Sequence, residues 1–283
     1  MCYTLNNIMG EEMMERIIYA LKQLGADDAA CINYQDCEII NPKLVDRLDF
    51  VPRSVIIATI PYYTKYCNEY KIVSSYALPY DYHIYLKEIA QTTIEKAKSI
   101  FPEASFEYFA DHSPINEKNA AAKAGLGIIG KHSLLITPYH SSFVFLLEIL
   151  TDLECDSIAK EVKHCIECNK CVEACPTFLK NNGPCLSAIT QKKGNLTEDE
   201  IVQIENSGCA WGCDICQMAC PHTQTAIKNG TIYTNAKWFN SNICALPSDS
   251  SLNDEDDFKK RAYSWRGKST VLRNIKIIIG NSK

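Results

Sequence analysis

The residues best equipped for chemistry are the cysteines of CIECNKCVEACP, which runs from Cys165 to Pro176. Cys165, Cys168 and Cys171 follow one another at gaps of two, Cys175 comes after a gap of three, and a proline closes the run; this is the bacterial ferredoxin spacing for a 4Fe-4S cluster. The tight turn aims three thiolates at one cubane, and the fourth cysteine faces a different metal centre, as in two-cluster ferredoxins. A second run is therefore required, and Cys213, Cys216 and Cys220, followed by Pro221, supply it. That run lacks a thiolate, because the position completing it is Ala210. The spacing assigns Cys165, Cys168, Cys171 and Cys220 to one cluster. Cys175, Cys213 and Cys216 go to the other, with Cys185 or Cys209 as the eighth ligand. A zinc ribbon, which uses two CxxC pairs and stops at four ligands, does not account for the interleaved set.

These ligands need elements to hold them. At 283 residues the chain has room for about two domains. Its formal net charge of −5 marks no globally basic surface for nucleic acid. Fifteen cysteines without an apolar leader in residues 1–14 imply a reducing cytoplasm. No stretch reaches a membrane span; the longest apolar run, Phe143 to Leu150, is interrupted by Glu148. Cys2, Cys31, Cys37, Cys67, Cys155 and Cys244 lack ligand spacing and read as small buried hydrophobes.

The periodicity predicts a helix over Glu11–Leu24 stopped by Gly25, a buried strand over Ser54–Ile60, a helix over His83–Ile100 and a strand over Phe106–Phe109. Ser113 and Pro114 read as the N-cap and first-turn proline of a helix ending at Ala124. Strands are expected at Ser133–Thr137 and Ser142–Leu150. Tyr62, Tyr63, Tyr66, Tyr70, Tyr76, Tyr80, Tyr82 and Tyr85 suit packing, although their flat faces also suit a planar macrocycle. Asp111, at a strand-to-helix junction, reads first as a turn or capping residue. The stretch GLGIIGK from Gly125 matches neither nucleotide motif in context: it follows a helix, and His132 stands where a P-loop has Ser or Thr. Its glycines instead permit close backbone approach. The fold class is α+β: an α/β domain over residues 1–151, a ferredoxin-like double-cluster domain over 152–224, and a C-terminal segment over 225–283. The last carries an acidic linker, Pro247 to Asp257, and a basic helical tail with Lys259, Lys260, Arg261, Arg266, Lys268, Arg273 and Lys276. That tail is either a solvated face or a surface for an anionic partner.

The succession PRSVI at Pro52, YDYH at Tyr80, the Asp111 segment leading to AGLGIIGK, CIECNKCVEACPT, CLSAITQKKG at Cys185, GCDICQMACP at Gly212 and SWRGKSTVLRN at Ser264 resembles the epoxyqueuosine reductase family. The resemblance implies a nitroreductase-like cobalamin-binding α/β domain, cobalamin and two 4Fe-4S clusters as cofactors, and reduction of epoxyqueuosine to queuosine in tRNA. It makes Cys185 the eighth ligand and Asp111 the proton donor. It places cobalamin contacts at Lys131, His132, Ser133, Leu135, Thr190, Gly212 and Asp214. Its implied partners are tRNA and an external electron donor, with no membrane. Full-length members of the family continue into HEAT-like repeats beyond the SWRG segment, so the chain is expected to be a short form. Two other activities fit the cysteine pattern: a corrinoid reductase acting on a small molecule, as reductive dehalogenases do, and a 4Fe-4S electron-transfer protein.

Overall fold

A computed structural model describes residues 14–69, 72–244 and 252–280. Cys2, Tyr70, the first residues of the helix expected from Glu11, and residues 247–251 of the acidic stretch lie outside the described residues. The chain forms two compact units, one of residues 1–61 and 83–167 and the other of residues 62–82 and 168–283.

The first unit is built on a four-stranded sheet. Helix α1 covers residues 14–23 and ends before Gly25, whose φ of 117° is open to glycine. Then come β1 (Asp28–Asn33), β2 (Ser54–Pro61), α2 (Tyr82–Ile100), β3 (Phe106–Phe109), α3 (Glu117–Ala124), a short ribbon of β4 (Ile128–Ile129) and β5 (Leu135–Ile136), and β6 (Val144–Thr151). The sheet order is β1-β2-β6-β3, and all three pairings are antiparallel. Every residue of β2 is buried, as the β-branched run between Pro52 and Pro61 predicts. Val55 and Ile57 join Leu146 and Leu150 of β6 in a core closed by Ala120, Ala121 and Ala122 of α3. Ile56, Ala58 and Ile60 point to the opposite face and are fully buried as well.

The structure corrects one helix start. Ser113 does not cap α3; Asn116 does, its side chain accepting the Asn119 N–H at 3.3 Å. The Ser113 hydroxyl donates instead to Glu148, which removes it from the competition for the helix terminus. The GLGIIGK stretch leaves α3 through Gly125 (φ 91°) and enters the ribbon. A Cβ at Gly127 would lie 2.4 Å from the Ile136 carbonyl oxygen, so glycine there permits the close backbone approach of β4 to β5.

The second unit is built mainly from short helices. They are α4 (Lys170–Ala174), α5 (Leu186–Thr190), α6 (Glu198–Ser207), α7 (Ile215–Met218), α8 (Pro221–Asn229), α9 (Glu255–Lys259) and α10 (Lys268–Gly280). Thr197 and Glu200 form a complete capping box at the start of α6. Leu186, Ile189 and Ile204 make a core against which Ile277 and Ile278 of α10 pack.

The compact division falls elsewhere than the boundaries expected after residues 151 and 224, for identifiable reasons. Residues beyond Thr151 stay with the sheet through Lys160 N–H to Lys123 and Cys165 N–H to Ile129. Residues 62–82 join the second unit through Ala210 N–H to Ile72, Ser74 N–H to Trp211 and Thr234 N–H to Tyr63. The C-terminal segment belongs to that unit because Asn274 of α10 donates to the carbonyls of Thr190 and Ala210, at 2.7 and 2.8 Å.

Candidate functional site

The cysteines expected to be ligands in the second unit are positioned by short helices. Asn169 adopts a left-handed φ of 62° immediately before α4, coiling the chain tightly between Cys168 and Cys171. α4 packs against α7, which brings the two cysteine runs together. Cys175 terminates α4, Cys185 is the N-cap of α5, and Cys220 precedes Pro221 at the first position of α8. Burial and the nearby sulfurs of Cys175 and Cys185 push the thiols of Cys213 and Cys216 up to about 12. Cys175 and Cys185 are thus neighbours of Cys213 and Cys216, and as bare thiolates these sulfurs would repel one another.

Cys209, the rival eighth ligand, is placed differently. Its thiol faces the carbonyls of Trp211 and Gly212, at 3.4 and 3.3 Å. Ala210, where a regular second run would have a cysteine, is fully buried with both backbone groups engaged. Among the described residues no group of three His, Cys, Asp or Glu side chains converges on a single metal ion. Of the first-cluster cysteines, Cys171 and Cys220 are buried and Cys168 is exposed. Cys165 lies in the first unit, where its sulfur accepts the Lys131 N–H at 3.3 Å.

Asp111 follows β3 with a left-handed φ of 62°. Its half-exposed carboxylate is 3.6 Å from His83 Nε2. Two carboxyl groups that the sequence reading did not single out lie behind it. Glu117, in the first turn of α3, receives the Asp111 backbone N–H; burial and the Asp111 charge raise its carboxyl to about 7. Glu148, between Ile57 of β2 and Phe109 of β3, is fully buried, and burial raises it to about 8. One oxygen of each carboxyl has no hydrogen-bond partner. The interruption of an apolar strand by Glu148 was the signal available in the sequence; nothing comparable marked Glu117.

The other expected contact residues fall into both units. In the first, Lys131 and Ser133 are exposed, Leu135 and His132 are buried, and Ser133 has a φ of 65°. In the second, Thr190 is fully buried, and its hydroxyl donates to Ser187 and accepts the Gly212 N–H. Asp214 accepts from the Ser74 hydroxyl at 2.5 Å and the Ser75 N–H at 2.6 Å, and desolvation raises its carboxyl against those donations. It lines a cavity of about 330 Å³ with Ser74, Ser75, Cys209 and Met218.

The basic tail is largely engaged within its own unit. Arg261 is buried, grips Asp257 through two nitrogens at 2.9 Å and lies over the Tyr80 ring. Lys268 pairs with Glu255, Arg266 stacks on Trp265, and Arg273 donates to Gly194 and Asn274. The tyrosines pack similarly: Tyr76 meets Tyr82 edge-on, and Tyr80 meets Trp238.

An α+β sheet unit joined to a shell of paired cysteine runs defines a double 4Fe-4S cluster protein, and residues 164–224 match the 4Fe-4S dicluster domain. The chain is 32% identical over 196 residues to an epoxyqueuosine reductase of Synechocystis, covering 65% of this chain and 68% of that one. It is 30% identical over 210 residues to the Lactococcus garvieae epoxyqueuosine reductase, covering 71% of this chain and 59% of that one. The chain belongs to the epoxyqueuosine reductase family. It spans less than two thirds of the length of some of these relatives, including 58% of the Cellulophaga algicola protein. Its fold is that of an epoxyqueuosine reductase solved with an epoxyqueuosine-modified tRNA stem loop, at a TM-score of 0.77 and 22% identity, over 95% of this chain and 81% of that one. Among the described residues no helix is long and apolar enough to cross a membrane.

Proposed function

We propose that this protein is a cytoplasmic oxidoreductase that reduces epoxyqueuosine to queuosine in tRNA. Family membership carries the reading. The gathering of Cys175, Cys185, Cys213 and Cys216 supports a second cluster completed by Cys185. Cys165, Cys168, Cys171 and Cys220 hold the other by their spacing. By the family resemblance, the first unit, taken by itself, offers Lys131, His132, Ser133 and Leu135 toward cobalamin, and the second, taken by itself, offers Gly212, Asp214 and Thr190. Of these, Thr190 acts through Gly212, since its hydroxyl is already engaged. A corrin held there would supply the one-electron redox chemistry that couples iron-sulfur clusters to a two-electron reduction.

Removing the epoxide oxygen as water consumes two electrons and two protons. Asp111 delivers a proton to that oxygen; its exposed carboxylate and left-handed backbone present it outward from the end of β3. Glu117 is a positioning residue, which fixes the Asp111 backbone and holds a proton near neutral pH. The electrons come from an external donor. tRNA contact rests on exposed cations of the second unit such as Lys276, so its affinity is expected to fall with salt. The test is anaerobic turnover of tRNA carrying epoxyqueuosine by protein loaded with clusters and cobalamin, followed by nucleoside mass analysis. Queuosine is the expected product. Its absence from fully loaded protein would remove the tRNA substrate from this reading.

A further inference from the structure

Cys31 and Cys155 read in sequence as isolated small hydrophobes, 124 residues apart. The fold brings them together. Cys31 lies on β1, an edge strand, opposite Ile56 of β2. After β6 the chain crosses the end of β2, held by the Ser54 hydroxyl on the Leu153 carbonyl and by Asn33 Nδ2 on the Ser157 carbonyl. This crossing brings Cys155 beside Cys31 and sets its thiol 3.6 Å from the Ser157 hydroxyl. Both cysteines are free thiols. The pair sits on the β1 edge of the sheet, whereas β3, which leads to Asp111, forms the other edge.

The two thiols are unequal. Cys31 is buried, and Cys155 is partly exposed in an open cleft of about 550 Å³ with Arg53, Asn33 and Tyr34. The hydrogen bond from Cys31, aided by Ser157 and Ser54, lowers the Cys155 thiol to about 6, while the same contact and burial raise Cys31. An accessible thiolate backed by a protonated thiol is the arrangement of an attacking and a resolving cysteine. Cys37, Cys67 and Cys209 instead direct their sulfurs at oxygen atoms.

We propose that Cys31 and Cys155 form a reversible redox dithiol that exchanges with small-molecule disulfides. The Cys155 thiolate attacks one sulfur of the disulfide, the S–S bond breaks, and one small thiolate leaves. Cys31 then attacks the Cys155 sulfur of the mixed disulfide. The second small thiolate leaves and takes up the Cys31 proton. Two protein thiols are oxidised as one small disulfide is reduced to two thiols. The product bond ties the edge strand to the segment that leads from β6 toward Cys165.

The experiment treats cluster-loaded protein anaerobically with oxidised glutathione and maps its peptides without reduction. A Cys31-to-Cys155 link is expected, with a higher melting temperature that dithiothreitol reverses and an unchanged iron content. Iodoacetamide labelling of Cys155 in the untreated protein should be half-maximal near pH 6. In the Cys31→Ala variant glutathione should remain on Cys155 as a mixed disulfide. Glutathione retained on wild-type Cys155 while Cys31 stays open to alkylation after unfolding would overturn the proposal. So would a Cys155 that gives no reaction with oxidised glutathione.

Discussion

The two units of this chain keep their shape by different means. The first buries β2 on both faces and closes a continuous apolar core over α3. The second packs Leu186, Ile189 and Ile204 against α10, and cysteines terminate or precede its helices α4, α5 and α8. A unit of that kind gains its order from what its thiolates bind, since metal binding and folding share one free energy.

Stripping iron from the protein should produce the largest effect. Hydrogen exchange is expected to become fast throughout residues 168–220 while β2 and β6 stay protected; equal loss in both units would erase the contrast. Asp111→Asn should lower turnover by about 10²- to 10⁴-fold, the range for a positioned proton donor, with cluster spectra and melting temperature unchanged. Full turnover by this variant would return Asp111 to a structural turn role. Ile57→Ala should cost about 2 to 5 kcal/mol of stability. The same truncation at Ile204 is expected to matter less while the clusters are bound, as thermal denaturation of the loaded variants would reveal.

A smaller effect belongs to Glu148. Its carboxyl is raised from 4.5 to about 8 in the folded protein, so between those values the native state holds a proton that the unfolded chain releases. Stability is thus lost as pH rises through that window. Glu148→Gln should flatten this dependence and gain on the order of 2 kcal/mol at pH 9, measured by denaturant titration across pH. The smallest change is Thr197→Ala, which removes the capping box of α6 and should cost about 1 kcal/mol. Its cost should grow once iron is removed.

Much of this contrast was legible in the residues. The β-branched run of β2 and the apolar stripe of α2 define elements by local pattern, and the cysteine spacing declares a dicluster domain before any fold is known. What escaped depends on contacts far apart in the chain. Ser113 carries a good capping signal, yet its hydroxyl is taken by Glu148, 35 positions away. Cys31 and Cys155 have no shared motif and meet only because the chain crosses the end of β2. The tail read either as a solvated face or as a surface for an anionic partner, because sequence cannot show that Arg261, Lys268 and Arg273 are already engaged. Spacing likewise left Cys185 and Cys209 open, since both lie out of register with the second run, and the choice of Cys185 rests on the family resemblance.

That choice is the most direct test of the account. Iron and sulfide content, with the electron paramagnetic resonance of the reduced protein, should be measured for the wild type and for the Cys185→Ser and Cys209→Ser variants. The wild type and Cys209→Ser should each carry two clusters, and Cys185→Ser should lose the signal and iron of one. Retention of both clusters by Cys185→Ser, with loss from Cys209→Ser, would contradict the assignment and redraw the cluster unit around Cys209.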